Sequence, residues 1–453
     1  MRTKIACTLG PSLQEVVDIE KAISLGCRIY RINFSHGNPI LWRQLADNAR
    51  EAAEKRGEKI VLIGDLRGPS IRVSGLETSI SLRAGERAKF SLDGPLSLPY
   101  PRFFETVEVG DTLLLDDGRG MLKVVAKDET SIAAEAIRPA TISPNKSIVI
   151  RGKEVQVPDY LATCREQLQA AADMELDYVG LSFVTKAADV DAAKTFLHEK
   201  GLATGVIAKI ETPSGVKNVD EISERSDAVL IARGDLGMHF PLEYVPRLQK
   251  TIIDAAYNAC KPVIVATQLL GTMVNEPVPT RSEIVDVMTC VEDGVDVLML
   301  TAETAVGRYP LESIQWLVNI AETYEKGIEP RRALPPSAEV VDRFALAVVN
   351  LAESLAAKIA IFTINGNMAR RIARFKPVSG IIAATPNHDV VPRLMLLWGV
   401  TPLLLEAQSY AEGLEKLEKK LEEERLAEPG DTYVLTYGLV KEPIHIVKMK
   451  KFM

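Results

Sequence analysis

Short apolar runs recur along the chain, and stretches with helical periodicity separate them. The runs are nearly continuous and rich in β-branched residues, a pattern typical of parallel strands that are buried on both faces. Helical periodicity is clearest in residues 12–26 and 241–260. In the first two thirds of the chain, the apolar runs span residues 3–10, 27–35, 59–66, 176–183, 204–211, 228–235, 261–268 and 296–304.

Eight strands that alternate with helices predict an α/β fold of the (β/α)8 TIM-barrel type, in which the strands form a closed inner ring. An open, doubly wound sheet is the competing arrangement. That sheet would be favoured by a GxGxxG turn after the first strand, and the sequence has none at this place.

The interval between the third and fourth runs is too long for one helix. It alternates apolar and polar residues between Gly, Asp and Pro turn signals, which predicts an inserted all-β domain placed as a lid. A new α/β pattern begins near residue 332, with strand candidates at 358–365, 379–386, 400–407, 431–438 and 443–450. The predicted domains are a barrel of residues 1–72 and 158–331, a β lid of residues 73–157, and a C-terminal α/β domain of residues 332–453.

Composition narrows the class of protein. A chain of 453 residues is too long for one compact core. The net charge of −7 argues against general binding to nucleic acids or anionic membranes. The five cysteines form no CxxC pair, so we expect no structural zinc and a reducing compartment. No run reaches the roughly 18 apolar residues of a membrane span, and no apolar signal region opens the chain, so we predict a cytoplasmic protein.

Polar residues stand at the end of nearly every predicted barrel strand. In a parallel barrel these ends share one face, and that face holds the active site. Some of these residues could only cap helices or close loops, but so many charged groups favour an anionic, metal-assisted site. The residues are Arg31, Asn33, Ser35, Asp65, Arg67, Ser182, Lys209, Glu211, Arg233, Asp235, Thr267, Gln268, Thr301 and Glu303.

The stretch "VIAKIETPSG", residues 206–215, places a lysine and a carboxylate on a buried strand. Lys209 and Glu211 share one face because side chains alternate along a strand. Glu211 and Asp235 end successive strands, and two neighbouring carboxylates suit Mg²⁺, which also takes waters and substrate oxygens. The alternative is a structural ion-pair network with Lys209 and Arg233.

Three arginines near these strand ends, Arg31, Arg67 and Arg72, favour a phosphate ligand, because guanidinium groups bind phosphate oxygens bidentately. A metal, a lysine and several arginines are what phosphoryl transfer requires. The chain has neither a GxxxxGK[ST] loop nor the HRD and DFG set of protein kinases. These residues alone therefore indicate a metal-dependent enzyme that handles phosphates.

Eight motifs follow one another in the order and at the spacing of the pyruvate kinase family, which the chain resembles from end to end. The resemblance implies a barrel with an inserted β lid and a C-terminal α/β domain, usually in a homotetramer. It also implies transfer of the phosphoryl group of phosphoenolpyruvate to ADP, which gives pyruvate and ATP in the final step of glycolysis. The motifs are "TKIACTLGPS", "RINFSHG", "GDLRGPSIR", "AKIETPSGV", "IARGDLG", "KPVIVATQLL", "PVPTRSEIVDV" and "LTAETAVGRYP".

The resemblance also implies roles for single residues. Glu211 and Asp235 correspond to the Mg²⁺ ligands, and Mn²⁺ or another divalent ion is an open alternative. Lys209 corresponds to the residue that neutralises the moving phosphoryl group and the enolate. Arg31 corresponds to the arginine on the substrate phosphate, and Thr267 to the residue that directs protonation of the enolate.

The same resemblance implies the remaining contacts of the two substrates. Backbone N–H groups around Gly234 and Asp235, together with the Thr267 hydroxyl, correspond to the pocket for the substrate carboxylate. On the nucleotide side the corresponding residues are His36, Arg72 and Lys146; the alternative for Lys146 is a solvated lysine of the lid.

The monovalent-cation site of the family is only partly matched. Asn33, Ser35 and Asp65 correspond to it, but Leu66 and Ser70 stand where potassium-dependent members have a threonine and a glutamate. Loss of the glutamate changes the charge of the site by one unit, which is the charge that K⁺ supplies. We therefore expect activity that does not require K⁺.

An effector site is expected in the C-terminal domain, in the loop "TINGNMARR" of residues 363–371. Thr363, Gly366 and Arg370, beside Arg371, could bind an anion at a helix N-terminus; an ordinary strand-to-helix turn is the alternative. The loop lacks the hydroxyl-rich sequence with which the family binds sugar bisphosphates, so another phosphorylated metabolite remains open.

Two other functions are weighed against this reading. A lyase or aldolase that uses phosphoenolpyruvate can place a Glu and Asp metal pair on a similar barrel, but the inserted lid, Lys209 and Thr267 argue against it. A metabolite sensor without turnover should have lost at least one residue of the reaction centre. All five are present: Arg31, Lys209, Glu211, Asp235 and Thr267.

Overall fold

The computed structural model describes residues 1–115, 118–155, 160–327, 333–438 and 445–453. Its strands, numbered along the chain, are β1 Lys4–Thr8, β2 Ile29–Asn33, β3 Val61–Leu66, β4 Ile80–Leu82, β5 Arg87–Ser91, β6 Thr112–Leu115, β7 Gly120–Lys127, β8 Ser131–Ala136, β9 Ala140–Ile142, β10 Ile148–Ile150, β11 Tyr178–Leu181, β12 Gly205–Ile210, β13 Ala228–Ala232, β14 Val263–Ala266, β15 Val297–Leu300, β16 Lys358–Phe362, β17 Ile381–Thr385, β18 Val400–Leu404, β19 Thr432–Gly438 and β20 His445–Lys451.

The α-helices are α1 Val16–Ser24, α2 Pro39–Arg56, α3 Pro101–Thr106, α4 Tyr160–Asp173, α5 Ala187–Glu199, α6 Pro213–Lys217, α7 Val219–Arg225, α8 Arg233–His239, α9 Val245–Asn258, α10 Arg281–Glu292, α11 Ala302–Ala305, α12 Pro310–Tyr324, α13 Val340–Ser354, α14 Asn367–Ala373, α15 Val391–Met395 and α16 Tyr410–Glu423. Short 3₁₀ turns lie at Leu242–Tyr244, Gly271–Val274, Glu325–Gly327 and His388–Val390.

Eight parallel strands close into the predicted barrel in the order β1-β15-β14-β13-β12-β11-β3-β2. Each strand lies within its predicted apolar run, and the helices between the strands cover the outside of the ring. Inward-facing residues such as Ile29, Ile63 and Ile207 fill the inside. Arg31, Asp65 and Lys209 lie two positions further along the same three strands, so their side chains continue these inward-facing rows to the mouth of the barrel.

The insertion after β3 is mainly antiparallel sheet, as predicted. Its sheets have the orders β10-β6-β7-β8-β5 and β4-β9, and they share an apolar core that includes Phe90, Phe103 and Phe104. The short helix α3 was not predicted, because its six residues are too few to show a helical period.

The C-terminal domain has its own five-stranded sheet, in the order β18-β17-β16-β19-β20. Four strands are parallel, and β20 runs antiparallel to β19 at the edge. Val391, Met395 and Leu396 of this domain join the apolar cluster inside the barrel, so the domain packs against the end of the barrel opposite the active face.

The predicted domain boundary near residue 72 lies in the segment between β3, which ends at Leu66, and β4, which begins at Ile80. The boundaries at 157/158 and 331/332 lie outside the described residues. Within the described ranges, no helix is both long enough and apolar enough to span a membrane.

Candidate active site

The ammonium of Lys209 lies at the centre of the charged groups at the mouth of the barrel. Its Nζ is 3.0 Å from Asp65 Oδ1 and 2.9 Å from Glu211 Oε1, and it donates to Ser182 Oγ at 2.6 Å. Only 11% of the Lys209 side chain is exposed. A buried ammonium is costly unless it is paired, and here three oxygens from three strand ends surround it.

This pairing controls the ionisation of both partners. Burial acts to lower the pKa of Lys209, but Asp65 and Glu211 outweigh it and raise this pKa above its ordinary value. Burial acts to raise the pKa of Asp65, but Arg31 and Lys209 hold this pKa below its usual range. Both groups are therefore charged at neutral pH, and Asp235 adds to the stabilisation of the Lys209 ammonium.

Arg31 lies on the other side of Asp65. Its Nε donates to Asp65 Oδ2 at 2.7 Å, its Nη2 donates to the same oxygen, and its Nη1 donates to Thr8 Oγ1 at 3.0 Å. Asp65, on β3, thus separates two cations: Arg31 on the adjacent strand β2, and Lys209 on β12, which is two strands away on the other side. The sequence analysis did not predict that Thr8 accepts a hydrogen bond from Arg31, although Thr8 lies in the motif "TKIACTLGPS".

Glu211 has one carboxylate oxygen that can accept a further ligand. Its Oε2 accepts from the backbone N–H of Phe183 at 2.8 Å. Its Oε1 is near Lys209 Nζ, but no donor among the described residues is aligned to hydrogen-bond it, and the residue is only 1% exposed. Because Oε1 is paired with the Lys209 ammonium but makes no aligned hydrogen bond among the described residues, it keeps a lone pair that a metal ion can use.

Asp235 supplies the second carboxylate, in the first turn of α8 directly after the neighbouring strand β13. The described residues contain no group of three or more His, Cys, Asp or Glu side chains that could hold a metal. Two carboxylates alone fit Mg²⁺, because this ion usually keeps waters and substrate oxygens in its shell.

Thr267 does not lie in a strand as predicted, because β14 ends at Ala266. Thr267 and Gln268 both have positive φ angles, 68° and 54°, and turn the chain away from the strand. The Thr267 hydroxyl accepts from the backbone N–H of Gly234 at 2.9 Å. The structure thus brings Thr267 together with the start of α8.

Arg233 has a different position from the one considered on sequence grounds. It was a possible ion-pair partner for the metal-binding carboxylates, but it extends toward α10 and pairs with Asp286 at 2.7 Å. Of the ion-pair network considered as the alternative, the structure contains the pair between Glu211 and Lys209. Arg233 is not part of it and donates hydrogen bonds to the Thr267–Gln268 turn.

The turn after β11 is a further part of the site that sequence reasoning did not assign. Ser182 Oγ donates to the carbonyl of Leu66 at 2.8 Å, and Tyr160 donates to the carbonyl of Ser182 at 2.6 Å. A Cβ atom on Gly68 would lie 2.5 Å from that carbonyl, so the approach requires glycine. The sequence showed only that Ser182 is a polar residue at a strand end. Its hydrogen bond with Lys209 depends on the tertiary structure.

The proposed monovalent-cation residues lie at the ends of β2 and β3. Asn33 Oδ1 accepts from the N–H of Ser35 at 3.0 Å, and Asp65 is already engaged by two cations. The Leu66 side chain is buried in the barrel core, so this position offers only its carbonyl. Ser70 accepts from Arg72 Nε at 3.0 Å.

His36, Arg72 and Lys146, predicted to contact the nucleotide, lie in one positively charged region. Burial and then the charges of Arg72, Arg31 and Lys146 lower the pKa of His36. Arg72 Nη1 donates to the carbonyl of Asn145 at 2.8 Å, which joins the barrel to the returning segment of the lid. A neutral histidine among cations leaves the positive charge of this region to the other three side chains.

The predicted effector residues lie apart from the active face, in the C-terminal domain. Thr363 Oγ1 accepts from the N–H of Gly366 at 3.0 Å, and Gly366 has a φ of 79°, which closes the turn before α14. Arg370 lies at the wall of a cavity of about 370 Å³ between this domain and the barrel, together with Lys261.

Comparisons with known proteins identify the family of this chain. The family model described as the pyruvate kinase barrel domain matches residues 1–314, and the pyruvate kinase alpha/beta domain matches residues 342–445. A pyruvate kinase from Aeropyrum pernix is 36% identical, over 99% of this chain and 98% of its own. One from Pyrobaculum aerophilum is 38% identical, over 99% of this chain and 96% of its own.

Solved structures give the same result. The crystal structure of pyruvate kinase from Pyrobaculum aerophilum has a TM-score of 0.89 at 37% identity and covers 99% of each chain. A pyruvate kinase structure from Cryptosporidium parvum has a TM-score of 0.91 at 30% identity, over 100% of this chain and 96% of its own. The chain therefore belongs to the pyruvate kinase family, phosphotransferases that convert phosphoenolpyruvate and ADP into pyruvate and ATP.

Proposed function

We propose that the charged residues at the mouth of the barrel divide the phosphotransferase reaction among themselves. The observation that carries this proposal is the Lys209 ammonium, held between Asp65 and Glu211 with Arg31 on the far side of Asp65. Glu211 and Asp235 hold a divalent metal, for which Mg²⁺ is the proposed ion. When bound, this ion supplies a Lewis acid that polarises the phosphoryl and enolate oxygens.

Lys209 and Arg31 stabilise the charge that moves during transfer. The bond between phosphorus and the C2 oxygen of phosphoenolpyruvate breaks, and its electron pair remains on that oxygen as an enolate. A β-phosphate oxygen of ADP forms the new bond to phosphorus. The Lys209 ammonium is proposed to contact both the phosphoryl group and the enolate oxygen, and Arg31 to hold the phosphoryl oxygens.

Thr267 and the first turn of α8 act on the other end of the substrate. The backbone N–H of Asp235, next to Gly234 in the first turn of α8, binds the carboxylate, since the N–H of Gly234 already donates to Thr267 Oγ1. The Thr267 hydroxyl directs a proton to C3 through water. The enolate electron pair then re-forms the C2 carbonyl as C3 gains its hydrogen. The hydrogen bond from Gly234 to Thr267 supports this proposal, because it keeps the hydroxyl beside the carboxylate pocket.

His36, Arg72 and Lys146 are proposed to bind the phosphates of the nucleotide. Initial rates with phosphoenolpyruvate, ADP and Mg²⁺, against the same mixture with a chelator, test the whole assignment. We expect ATP only when the metal is present. A reaction that consumes an aldehyde in place of ADP would identify the lyase instead, and metal-dependent binding without turnover would identify a sensor.

We expect full activity without K⁺, because Ser70 brings no carboxylate to the cation site formed by Asn33, Ser35, Asp65 and Leu66. Initial rates in buffer free of Na⁺ and K⁺ should match those in K⁺ buffer. Ser70→Glu should acquire activation by K⁺, since it adds one negative charge beside Arg72, whereas the uncharged Ser70→Gln should not. Near-zero turnover that K⁺ restores in the unaltered protein would contradict this prediction.

A regulatory site is proposed in the C-terminal domain, at Thr363, Gly366 and Arg370. Its support is Arg370 Nε, which is buried without a hydrogen-bond partner among the described residues. The proposed ligand is a phosphorylated metabolite. Calorimetric titration of phosphorylated metabolites into the protein and into Arg370→Gln measures their binding affinity. Equal affinity for both proteins would exclude the site.

A homotetramer is proposed because two separate surfaces expose large apolar side chains. In the barrel domain Leu242 and Tyr244 are exposed beside α9, and in the C-terminal domain Ile446 and Met449 are exposed on the edge strand β20. A closed tetramer with dihedral symmetry needs two such interfaces. Light scattering measures the mass in solution, and a monomer would exclude this assembly.

A cytoplasmic location is proposed from the cysteines. All five are free and buried, as expected for a protein of a reducing compartment. Cell fractionation tests the location, and recovery of the protein outside the cell would contradict it.

A further inference from the structure

Thr267 and Gln268 form an unusual turn at the end of β14. Both are non-glycine residues in the left-handed region, with φ angles of 68° and 54°, and Thr267 is β-branched. Such residues are rare, and they persist only where surrounding contacts hold the backbone in place. The contacts around this turn therefore determine where the Thr267 hydroxyl lies.

The Arg233 guanidinium supplies those contacts. Its Nη2 donates to the carbonyls of Thr267 and Gln268, each at 2.9 Å, and its Nε donates to the carbonyl of Thr267 at 3.2 Å. The left-handed conformation of the two residues leads the chain out of the strand ladder, and one side chain binds both of their carbonyl groups. Arg233 is 8% exposed, so these bonds are shielded from water.

Asp286 orients the guanidinium from the opposite side. Its Oδ1 accepts from Arg233 Nη1 at 2.7 Å, and it lies on α10, outside the strand ring. A planar guanidinium has donors in a rigid fork, so fixing one edge on a carboxylate directs the other edge at the two carbonyls. A lysine ammonium keeps the charge but cannot reproduce this geometry.

The main chain next to Arg233 completes a closed arrangement. The following residue, Gly234, donates its N–H to Thr267 Oγ1 at 2.9 Å. The Arg233 side chain thus holds the Thr267 backbone, while the Gly234 backbone holds the Thr267 hydroxyl. We propose that Arg233 and Asp286 are positioning residues that hold the Thr267 hydroxyl beside C3 of the enolate, an inference that rests on the proposed role of Thr267.

The test separates proton transfer from phosphoryl transfer in the full-length enzyme. Exchange of the pyruvate methyl hydrogens for deuterium, followed by NMR with Mg²⁺ and ATP, reports proton transfer at C3. Rapid quenching of the first turnover with phosphoenolpyruvate and ADP reports formation of ATP. Both measurements use saturating substrate, so a change in substrate affinity does not enter.

We expect Arg233→Lys to slow the exchange by about 100-fold, since a small displacement of a catalytic group has an effect of that order. First-turnover formation of ATP should change by less than about 3-fold, because the hydrogen bonds of Lys209 and Arg31 go to Ser182, Asp65 and Thr8 and not to the turn. Asp286→Asn should slow the exchange by less than Arg233→Lys. The Asp286 side chain is 39% exposed, so this second variant keeps the test available if Arg233→Lys does not fold.

A double-mutant cycle decides whether Arg233 acts through Thr267. Thr267→Val and the double variant Arg233→Lys with Thr267→Val should show the same exchange rate. Without the Thr267 hydroxyl, Arg233 and Asp286 have no catalytic group left to position. Multiplied effects in the double variant, or equal losses of exchange and ATP formation in Arg233→Lys and Asp286→Asn, would overturn the inference and indicate a structural role.

The same data distinguish this inference from the proposed function. Slow exchange in Thr267→Val with normal exchange in Arg233→Lys and Asp286→Asn overturns the positioning role alone. Normal exchange in Thr267→Val overturns the role of Thr267, and the positioning role with it.

Discussion

Replacing Lys209 with methionine is expected to lower kcat by about 10³- to 10⁵-fold, the range in which a single cation on a transferring phosphoryl group acts. The ammonium is buried between Asp65 and Glu211, where its charge is little screened by water. Methionine fills a similar volume but cannot neutralise the phosphoryl group or the enolate. The variant also removes the positive charge that neutralises the buried carboxylates of Asp65 and Glu211. Their remaining negative charge repels an approaching phosphate.

Initial rates with phosphoenolpyruvate, ADP and Mg²⁺ measure this effect. Lys358→Met is a suitable control, because Lys358 also forms a close ion pair, 2.6 Å from Asp431, but lies in the C-terminal domain. The control should retain activity, and thermal melting of both variants checks that they are folded. A folded Lys209→Met enzyme with kcat within about 10-fold of the original would remove Lys209 from the proposed mechanism.

Replacing Glu211 with glutamine is expected to weaken binding of the divalent metal by about 100-fold or more. Even partners that only orient a metal ligand contribute about 10- to 100-fold, and Glu211 is proposed as a direct ligand. Glutamine preserves the acceptor for Phe183 N–H but removes one of two carboxylate charges. Asp235 alone then competes poorly with water for the ion.

Mn²⁺ binding, followed by the electron paramagnetic resonance signal of the free ion, measures this loss without reference to activity. Glu154→Gln is the matched control, because Glu154 lines the same cleft as Asp235 but is engaged by Ser214. That variant should bind Mn²⁺ as the original protein does. Unchanged Mn²⁺ affinity in Glu211→Gln would show that the metal lies elsewhere.

Local patterns were sufficient to predict the architecture. Short, nearly continuous apolar runs rich in β-branched residues are typical of strands covered on both faces, and eight of them alternating with helices predict a parallel barrel. The extra length after β3 and the new pattern near residue 332 indicated the lid and the C-terminal domain. The short helix α3 was missed because six residues carry too little periodicity.

The charged residues at the strand ends were predictable for the same reason. The carboxyl ends of parallel strands meet on one face, so Arg31, Asp65, Lys209 and Glu211 had to converge if the barrel formed. Alternation along the predicted strand placed Lys209 and Glu211 on one face. In the structure β12 ends at Ile210, so Glu211 lies one residue past the strand, but its carboxylate still meets the Lys209 ammonium. The family resemblance added roles to these residues, which no spacing rule could supply.

Local patterns along the chain thus specify the order of elements and the set of charged residues at the active face. The tertiary structure decided which atoms pair, since Asp65 and Lys209 are 144 positions apart and their contact depends on how β3, β11 and β12 align. It also decided the direction of side chains beyond the last strand residue. Once the chain leaves the strand, alternation no longer applies, and the left-handed turn at Thr267 and Gln268 depends on distant partners, Arg233 and Asp286.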